Sequence, residues 1–300
     1  MIRYSKLGYV ELNVSDLERA HDYYEKMVGL EYGGEGSQGE LRFRCTDDPY
    51  SVVLHKSDVP GFKRVGWMLE SEAQFDVLYQ RLTQENVPYE DISDEECEAR
   101  VLGRACRIVE PYTKAVFEFY ILPKSYQPKP WQPTLAKIQR LGHIALWSPE
   151  KVESTRFLNE VLNFKYSDSI GSAVTFLRCF PNPYHHGIGI AKANRYGMHH
   201  LNFMVSEIDD VGAGFHRFNA NDVPIMKGIG RHPASGSVFL YYLDPDGLTL
   251  EYSFGMEEFP ETDAREARTL PVLPESIDSW LGPVDARYAQ TGEVERYKIR

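Results

Sequence analysis

Alternation of apolar and polar positions predicts a β-hairpin between residues 237 and 253. Ser237 to Leu243 is almost wholly apolar and aromatic, and the turn sequence Asp244-Pro-Asp-Gly follows it. In the next strand the alternation places Thr249, Glu251 and Ser253 on one face. A carboxylate on a buried face needs a cation or hydrogen bonds, so Glu251 either faces water or binds a metal.

The same pattern of strands and helices occurs twice, with an offset of about 134 residues. The first copy begins with an alternating strand from Leu7 to Val14 and a helix capped near Asp16, and the second begins at Leu141. Further on, residues 65–71 correspond to 200–206, and residues 116–119 correspond to 249–252. A repeat of this length indicates a duplicated module.

The duplication predicts an α+β fold built from paired βαβββ modules in two domains, each with an open sheet around a cavity. We expect an N-terminal domain over residues 1–134, a C-terminal catalytic domain over 135–256 and a C-terminal arm over 257–300. Three prolines at 128, 130 and 133 mark the linker between the domains.

Composition narrows the class of protein. Hydrophobic residues make up 42% of the chain and charged residues 26%, which is typical of a globular protein. The chain has no apolar run of membrane-spanning length and no signal peptide, so we expect a cytoplasmic protein without a membrane partner.

The four cysteines show no paired spacing and are expected as free thiols. A net charge of -11 argues against a nucleic-acid partner, because binding to phosphates needs a basic surface.

The two copies differ where chemistry would be expected. Tyr9 corresponds to His143 and Val65 corresponds to His200, whereas an acid occurs in both copies, the second time as Glu251. Two histidines and a carboxylate that leave coordination positions open are typical of non-haem Fe(II) sites that use O2.

Other interpretations of these histidines remain open. His143 alone, on an apolar strand, could be a hydrogen-bonded core residue, and the pair His199-His200 could lie at a strand edge. We select His200 as the ligand because His200-Leu-Asn-Phe repeats the phase of His143-Ile-Ala-Leu, which directs His199 to the opposite face.

The C-terminal region resembles type I extradiol ring-cleaving dioxygenases of the vicinal oxygen chelate superfamily. Their signature, His-x(7)-Leu-Tyr-x(2)-Asp-Pro-x-Gly-x(3)-Glu, is met by His232, Leu240, Tyr241, Asp244, Pro245, Gly247 and Glu251. The duplicated plan extends the resemblance over about residues 5 to 255. One departure is Ser235, where some members carry an acid.

The resemblance implies an oxidoreductase of aromatic catabolism that cleaves a substituted catechol with O2. It implies Fe(II), with Mn(II) as the alternative, held by His143, His200 and Glu251. His186 matches the histidine that moves protons, and His232 and Tyr241 match residues that hydrogen-bond the substrate. Other metal-dependent chemistry of the same superfamily, or binding without catalysis, is the alternative.

Two further expectations concern the substrate and the assembly. We expect an alkyl- or aryl-substituted catechol, because the segments before His186 and Tyr241 are apolar and few cations are nearby. The cavity wall is expected to include some of Phe180, Pro183, Tyr184, Val238 and Phe239, with Arg231 and then Arg178 as the nearest cations. The aromatic content and the arm suggest a homo-oligomer with arms crossing between subunits, against a monomer whose arm folds back.

Overall fold

The computed structural model describes residues 1–299, which form two nine-stranded sheets related by the internal repeat. The elements of the first half are, in order, β1 (Tyr4–Val14), α1 (Leu17–Lys26), β2 (Glu31–Glu35), β3 (Leu41–Arg44), β4 (Val52–Lys56), β5 (Gly61–Leu69), α2 (Gln74–Gln84), β6 (Tyr89–Asp91), α3 (Asp94–Ala99), β7 (Arg104–Val109) and β8 (Val116–Ile121).

The second half repeats this order without the short third helix. Its elements are β9 (Ile138–Ser148), α4 (Lys151–Glu160), β10 (Phe164–Ile170), β11 (Val174–Cys179), β12 (Ile188–Lys192), β13 (Gly197–Val205), α5 (Ile208–Ala220), β14 (Ile225–Arg231), β15 (Val238–Leu243) and β16 (Thr249–Phe254). The predicted hairpin is therefore β15 and β16, which pair antiparallel.

The strand order confirms the predicted α+β fold of paired βαβββ modules. The first sheet runs β2-β3-β4-β1-β5-β8-β7-β6, and the second runs β14-β15-β16-β13-β9-β12-β11-β10, which is the same order reversed. In each half the first strands of the two modules pair antiparallel, as β1 with β5 and β9 with β13. Each module closes with a parallel pair, so β9 lies beside β12 and β13 beside β16.

Local sequence signals explain the element boundaries. The Asp16 side chain accepts a hydrogen bond from the Arg19 amide, which caps α1 where the polar pair Ser15-Asp16 predicted its start. In the turn between β15 and β16, Gly247 adopts a φ of +84°, a conformation that favours glycine. The four cysteines are buried and free, as predicted.

The two halves share one hydrophobic core, and tyrosines connect them. The Tyr23 hydroxyl donates to the Leu243 carbonyl at 2.7 Å, and the Tyr24 hydroxyl donates to Asp244 at 3.1 Å. Both tyrosines lie on α1 of the first half, and both acceptors lie at the end of β15. The start of the Asp-Pro-Asp-Gly turn is therefore held in place by hydrogen bonds from the other half of the chain.

The C-terminal segment folds back along its own chain. It adds β17 (Arg268–Leu270) to β10, forms the short helix α6 (Pro274–Ile277) and adds β18 (Glu293–Val294) to β5 of the first sheet. Arg300, the last residue of the predicted arm, lies outside the described residues. The predicted domain limits at 134 and 256 stay predictions, although the sheets change between β8 and β9.

A helix that crosses a membrane must be both long and apolar, and the helices within residues 1–299 are shorter or more polar than that.

The buried Asp244 should make stability depend on pH. Burial raises the pKa of its carboxyl to about 7, well above its value in an unfolded chain. The folded state therefore keeps a proton that the unfolded state releases, and the free energy of unfolding should fall between about pH 4 and pH 7. Asp244→Asn should remove part of this decrease, on the order of 3 kcal/mol, in denaturant titrations at several pH values.

Asp209→Asn, at an exposed position of α5, is the control and should leave the pH dependence unchanged. An equal slope in the Asp244→Asn protein and the unsubstituted chain would contradict the prediction.

Candidate active site

Three neighbouring strands bring His143, His200 and Glu251 together. They lie on β9, β13 and β16, which are adjacent in the second sheet. His143 Nε2 and His200 Nε2 are 2.7 Å apart, and each lies 3.1 Å from Glu251 Oε2. The cluster is buried, with Glu251 fully inaccessible to solvent.

This cluster fits a metal ion better than it fits a hydrogen-bonded trio. Glu251 Oε2 receives no well-directed hydrogen bond, and a single proton between the two imidazoles cannot satisfy all three atoms. Burial favours the neutral form of Glu251, but contacts with His143, His200 and His232 hold its pKa well below the ordinary value. Burial lowers the pKa of His143 to about 4, so that its imidazole is neutral, as a ligand must be.

A chain of hydrogen bonds orients Glu251. Asn202 Nδ2 donates to Ser253 Oγ at 2.8 Å, and Ser253 Oγ donates to Glu251 Oε1 at 2.6 Å. This arrangement uses one carboxylate oxygen and leaves the other directed at the histidines. Asn202 needs the space beside Gly142, because a Cβ at position 142 would lie 1.8 Å from Asn202 Oδ1.

His199 lies in the same cavity as His200, so the prediction that it points to the opposite face is wrong. The pairing of β13 with β9 shifts register between Met198 and His200, which leaves His199 as an extra residue in a β-bulge. Its Nδ1 lies 2.7 Å from His200 Nδ1, and its ring packs against Trp147. If His200 binds a metal through Nε2, the nitrogen that faces His143 and Glu251, it carries its proton on Nδ1 and donates it to His199.

The cavity beside the cluster has a volume of about 320 Å³ and contains all three residues predicted for catalysis and substrate binding. His186 is buried, with its ring centroid 4.0 Å from that of His143. Burial and the neighbouring histidines, His143 and His185, hold the pKa of His186 well below its ordinary value. His186 is therefore a neutral imidazole in this cavity.

His232 and Tyr241 form a hydrogen-bonded pair at the opposite side of the cluster. His232 Nδ1 lies 2.6 Å from the Ile277 carbonyl, which can only accept, so this nitrogen carries the proton. His232 Nε2 is then an acceptor, 3.0 Å from the Tyr241 hydroxyl. Burial, together with the charge of Glu251, raises the pKa of Tyr241 well above its ordinary value and keeps it a donor.

The cavity wall differs from the predicted one. Phe180, Pro183, Tyr184, Val238 and Phe239 do not line the cavity, because local apolar content did not reveal which strand face turns inward. Its apolar wall comes instead from other strands, chiefly Ala145, Trp147, Ile170, Val174, Phe176 and Ala191.

The cations and the arm also differ from expectation. Arg231 and Arg178 pack on Trp280 and Phe259 and do not line the cavity, where Lys192 is the cation instead. Ser276, Ile277 and Tyr288 of the C-terminal segment complete the wall. These contacts join distant parts of the sequence, and no local signal indicated them.

A second cluster of possible ligands, Asp168, His185 and Glu257, lies behind His186. Arg265 binds both carboxylates, with Nη2 2.9 Å from Asp168 and 2.6 Å from Glu257. Arg268 contacts Asp168 at 2.6 Å. Two guanidinium groups thus already neutralise these acids, which makes this cluster a poor metal site.

Comparison with known proteins agrees with this architecture. Residues 140–252 match the model of the Glyoxalase/Bleomycin resistance protein/Dioxygenase superfamily. The chain has the vicinal oxygen chelate fold over both halves, and its predicted resemblance to the extradiol dioxygenases is confirmed.

Two relatives are similar to this chain over most of their length. The chain is 22% identical to biphenyl-2,3-diol 1,2-dioxygenase of Sphingomonas paucimobilis, over 87% of this chain and 91% of the relative. It is 23% identical to an iron-dependent extradiol dioxygenase of Rhodococcus jostii, over 82% and 87% respectively. Among solved structures, the Mn(II)-bound glyoxalase from Novosphingobium aromaticivorans superposes with a TM-score of 0.84 at 24% identity, covering 96% of this chain and 94% of that one.

The first vicinal oxygen chelate half lacks this cluster and stabilises its own acid with arginines. Glu118, the counterpart of Glu251, is fully buried and binds Arg100 at 2.5 Å, Arg64 at 2.8 Å and Arg107 at 2.9 Å. Tyr9, the counterpart of His143, donates its hydroxyl to the same carboxylate.

Gly142→Ala should destabilise the protein, because the new methyl group and Asn202 cannot occupy the same space. We expect a loss of about 1–3 kcal/mol in the free energy of unfolding, measured by denaturant titration.

Gly212→Ala is the matched control, because a Cβ at this position of α5 meets no atom within 4 Å. It should be neutral or slightly stabilising. Equal stability of the two variants would contradict the role of Gly142.

Proposed function

We propose that the chain is an extradiol ring-cleaving dioxygenase that opens a substituted catechol with O2. The observation that carries this proposal is the buried cluster of His143, His200 and Glu251 at the wall of a largely apolar cavity. Its resemblance to extradiol dioxygenases over more than four fifths of the chain supports the same reaction. A catechol and O2 are thus the proposed partners of the site.

We assign His143, His200 and Glu251 as the ligands of a divalent ion, Fe(II) as first choice and Mn(II) as the alternative. Two imidazoles and a carboxylate suit both ions, and the iron-dependent relative and the Mn(II)-bound structure support either. Such an ion, when bound, would lower the pKa of a catechol hydroxyl and supply the redox-active centre for O2. Two neutral histidines and one carboxylate leave it a net positive charge, which favours an anionic ligand.

The surrounding residues have separate tasks in this proposal. His186 accepts a proton from a substrate hydroxyl, because it is neutral and lies in the cavity next to His143. Tyr241 keeps its single proton, which it donates to His232 Nε2 until rotation of the hydroxyl directs it to developing oxyanion charge. His232 holds the Tyr241 hydroxyl in place through Nε2. The apolar wall excludes water from the reacting ring.

The cavity favours a catechol with an alkyl or aryl substituent. Apolar side chains from four strands line it, and a biphenyldiol is the substrate named for one relative. Lys192 is the cation of the wall, but its ammonium group donates to the Pro149 carbonyl, which reduces its availability to a substrate carboxylate.

The alternative function is a different metal-dependent reaction of the same fold. The similar glyoxalase structure favours that alternative, but its likeness at 24% identity concerns the fold. The hydrogen-bonded pair of His232 and Tyr241 beside the cluster favours the dioxygenase, because a tyrosine hydroxyl that is held in place suits a substrate that develops oxyanion charge.

His143→Ala, His200→Ala and Glu251→Ala should each lose bound metal, because each removes one of three converging ligands. Metal content after anaerobic purification and dialysis measures this. His199→Ala should keep all three ligands but bind metal about 10–100-fold more weakly, because His200 loses its hydrogen-bond acceptor.

His216→Ala, at an exposed position of α5, is the matched control and should retain full metal content. Full occupancy in any of the three ligand variants would disprove the ligand assignment. Complete loss in His199→Ala with retention in His200→Ala would assign the ligand to the other member of the pair.

The metal-loaded protein should consume O2 and form a yellow ring-fission product from catechols. Specificity constants should be higher for alkylcatechols and 2,3-dihydroxybiphenyl than for a carboxylated catechol, because the wall is apolar. A preference for the carboxylated compound that disappears in Lys192→Ala would contradict the substrate proposal. No turnover of any catechol by protein with full metal content would contradict the dioxygenase proposal itself.

Assembly as a homo-oligomer stays a prediction. The C-terminal segment pairs with both sheets of its own chain, so arms that cross between subunits are not needed to complete the cavity.

A further inference from the structure

Three buried side chains, connected by hydrogen bonds, lead from Arg265 and Arg268 to the cavity. Asp168 Oδ2 lies 2.9 Å from His185 Nε2, and His185 Nδ1 lies 2.9 Å from His186 Nδ1. All three side chains are at most 4% exposed. Phe176 and Phe259 flank His185 and exclude water from the three side chains.

The charge of Asp168 determines the direction of the first hydrogen bond. Its carboxylate accepts from Arg265 at 2.9 Å, from the Arg268 side chain at 2.6 Å and from the Arg268 amide at 2.7 Å. A carboxylate between two guanidinium groups is ionised and can only accept hydrogen bonds. His185 must therefore carry a proton on Nε2 and donate it to Asp168.

The second hydrogen bond then follows from the chemistry of imidazole. Burial lowers the pKa of His185 despite the nearby Asp168, which favours the neutral ring with a single proton. With that proton on Nε2, its Nδ1 is bare and accepts from His186 Nδ1. A neutral His186 with its proton on Nδ1 has a bare Nε2 on the other side of the ring, and this residue lines the cavity.

We propose that Asp168 and His185 are positioning residues that fix His186 in the tautomer with a bare Nε2. This tautomer can accept a proton from a substrate hydroxyl at once, whereas the opposite tautomer would present an N–H donor. The function of the bare Nε2 rests on the proposed dioxygenase reaction, but the tautomer itself does not. Asp168 thus acts through His185, without contact to the substrate.

The direct test is the ¹⁵N spectrum of histidine-labelled protein loaded with Zn(II), which is diamagnetic and takes nitrogen and oxygen ligands. The His186 signals are identified by their absence in His186→Asn. Their shifts should show a protonated Nδ1 and an unprotonated Nε2. A protonated Nε2 in the unsubstituted protein would overturn the proposal.

Asp168→Asn should reverse the direction of the hydrogen bonds that run from His186 through His185 to residue 168. Of the partners of Asp168, only His185 can change from donor to acceptor, so the new amide group faces its Nε2. His185 then donates from Nδ1, and the His186 proton moves to Nε2. Glu257→Gln is the matched control, because it removes a carboxylate from the same arginines without a side-chain hydrogen bond to His185. It should leave the His186 tautomer unchanged.

Kinetics separate this inference from the proposed function. With a catechol that the unsubstituted enzyme cleaves, Asp168→Asn should lower kcat about 100-fold, whereas Glu257→Gln should stay near the unsubstituted value. Equal kcat in the two variants would overturn the positioning role. If the unsubstituted protein cleaves no catechol but shows the predicted tautomer, the dioxygenase proposal fails and the assignment of the tautomer stands.

Discussion

A fully buried carboxylate at the same place in each half is the constraint around which both sheets are organised. Glu118 and Glu251 lie on corresponding closing strands, and each has no accessible surface. A buried charge needs a partner of opposite charge, and the halves meet this need differently. Three arginines surround Glu118, whereas two imidazoles converge on Glu251 and leave one of its oxygens without a directed hydrogen bond.

This difference gives the two halves separate roles in one molecule. The arginine network in the first half is saturated by internal ion pairs, which makes that half a structural support. Its tyrosines hold the turn after β15, and its strand β5 anchors the end of the C-terminal segment. The second half keeps its acid free of such pairing, so its cluster can accept a metal ion.

Each of the paired histidines beside the cavity has a neighbour that determines its proton. His185 lies behind His186, and His199 lies beside His200, with Nδ1 to Nδ1 distances of 2.9 Å and 2.7 Å. If Nε2 of His200 binds a metal and Nε2 of His186 takes a proton from the substrate, the neighbour in each pair accepts the Nδ1 proton. A pair of adjacent histidines would then serve the same purpose twice, because the second ring of each pair would keep Nε2 of the first ring free of a proton.

The sequence by itself determined the repeat, the β15–β16 hairpin, five residues that line one cavity and Glu251, which contacts two of them. These features depend on alternation within single strands, on turn residues and on differences between the two copies, all of which are local or directly comparable along the chain. Only the tertiary structure decided that His199 faces inward, because a β-bulge depends on how β13 pairs with β9. It also decided the cavity wall, the closure by Ile277 and Tyr288, and the arginines behind His185, because these contacts join residues far apart in sequence.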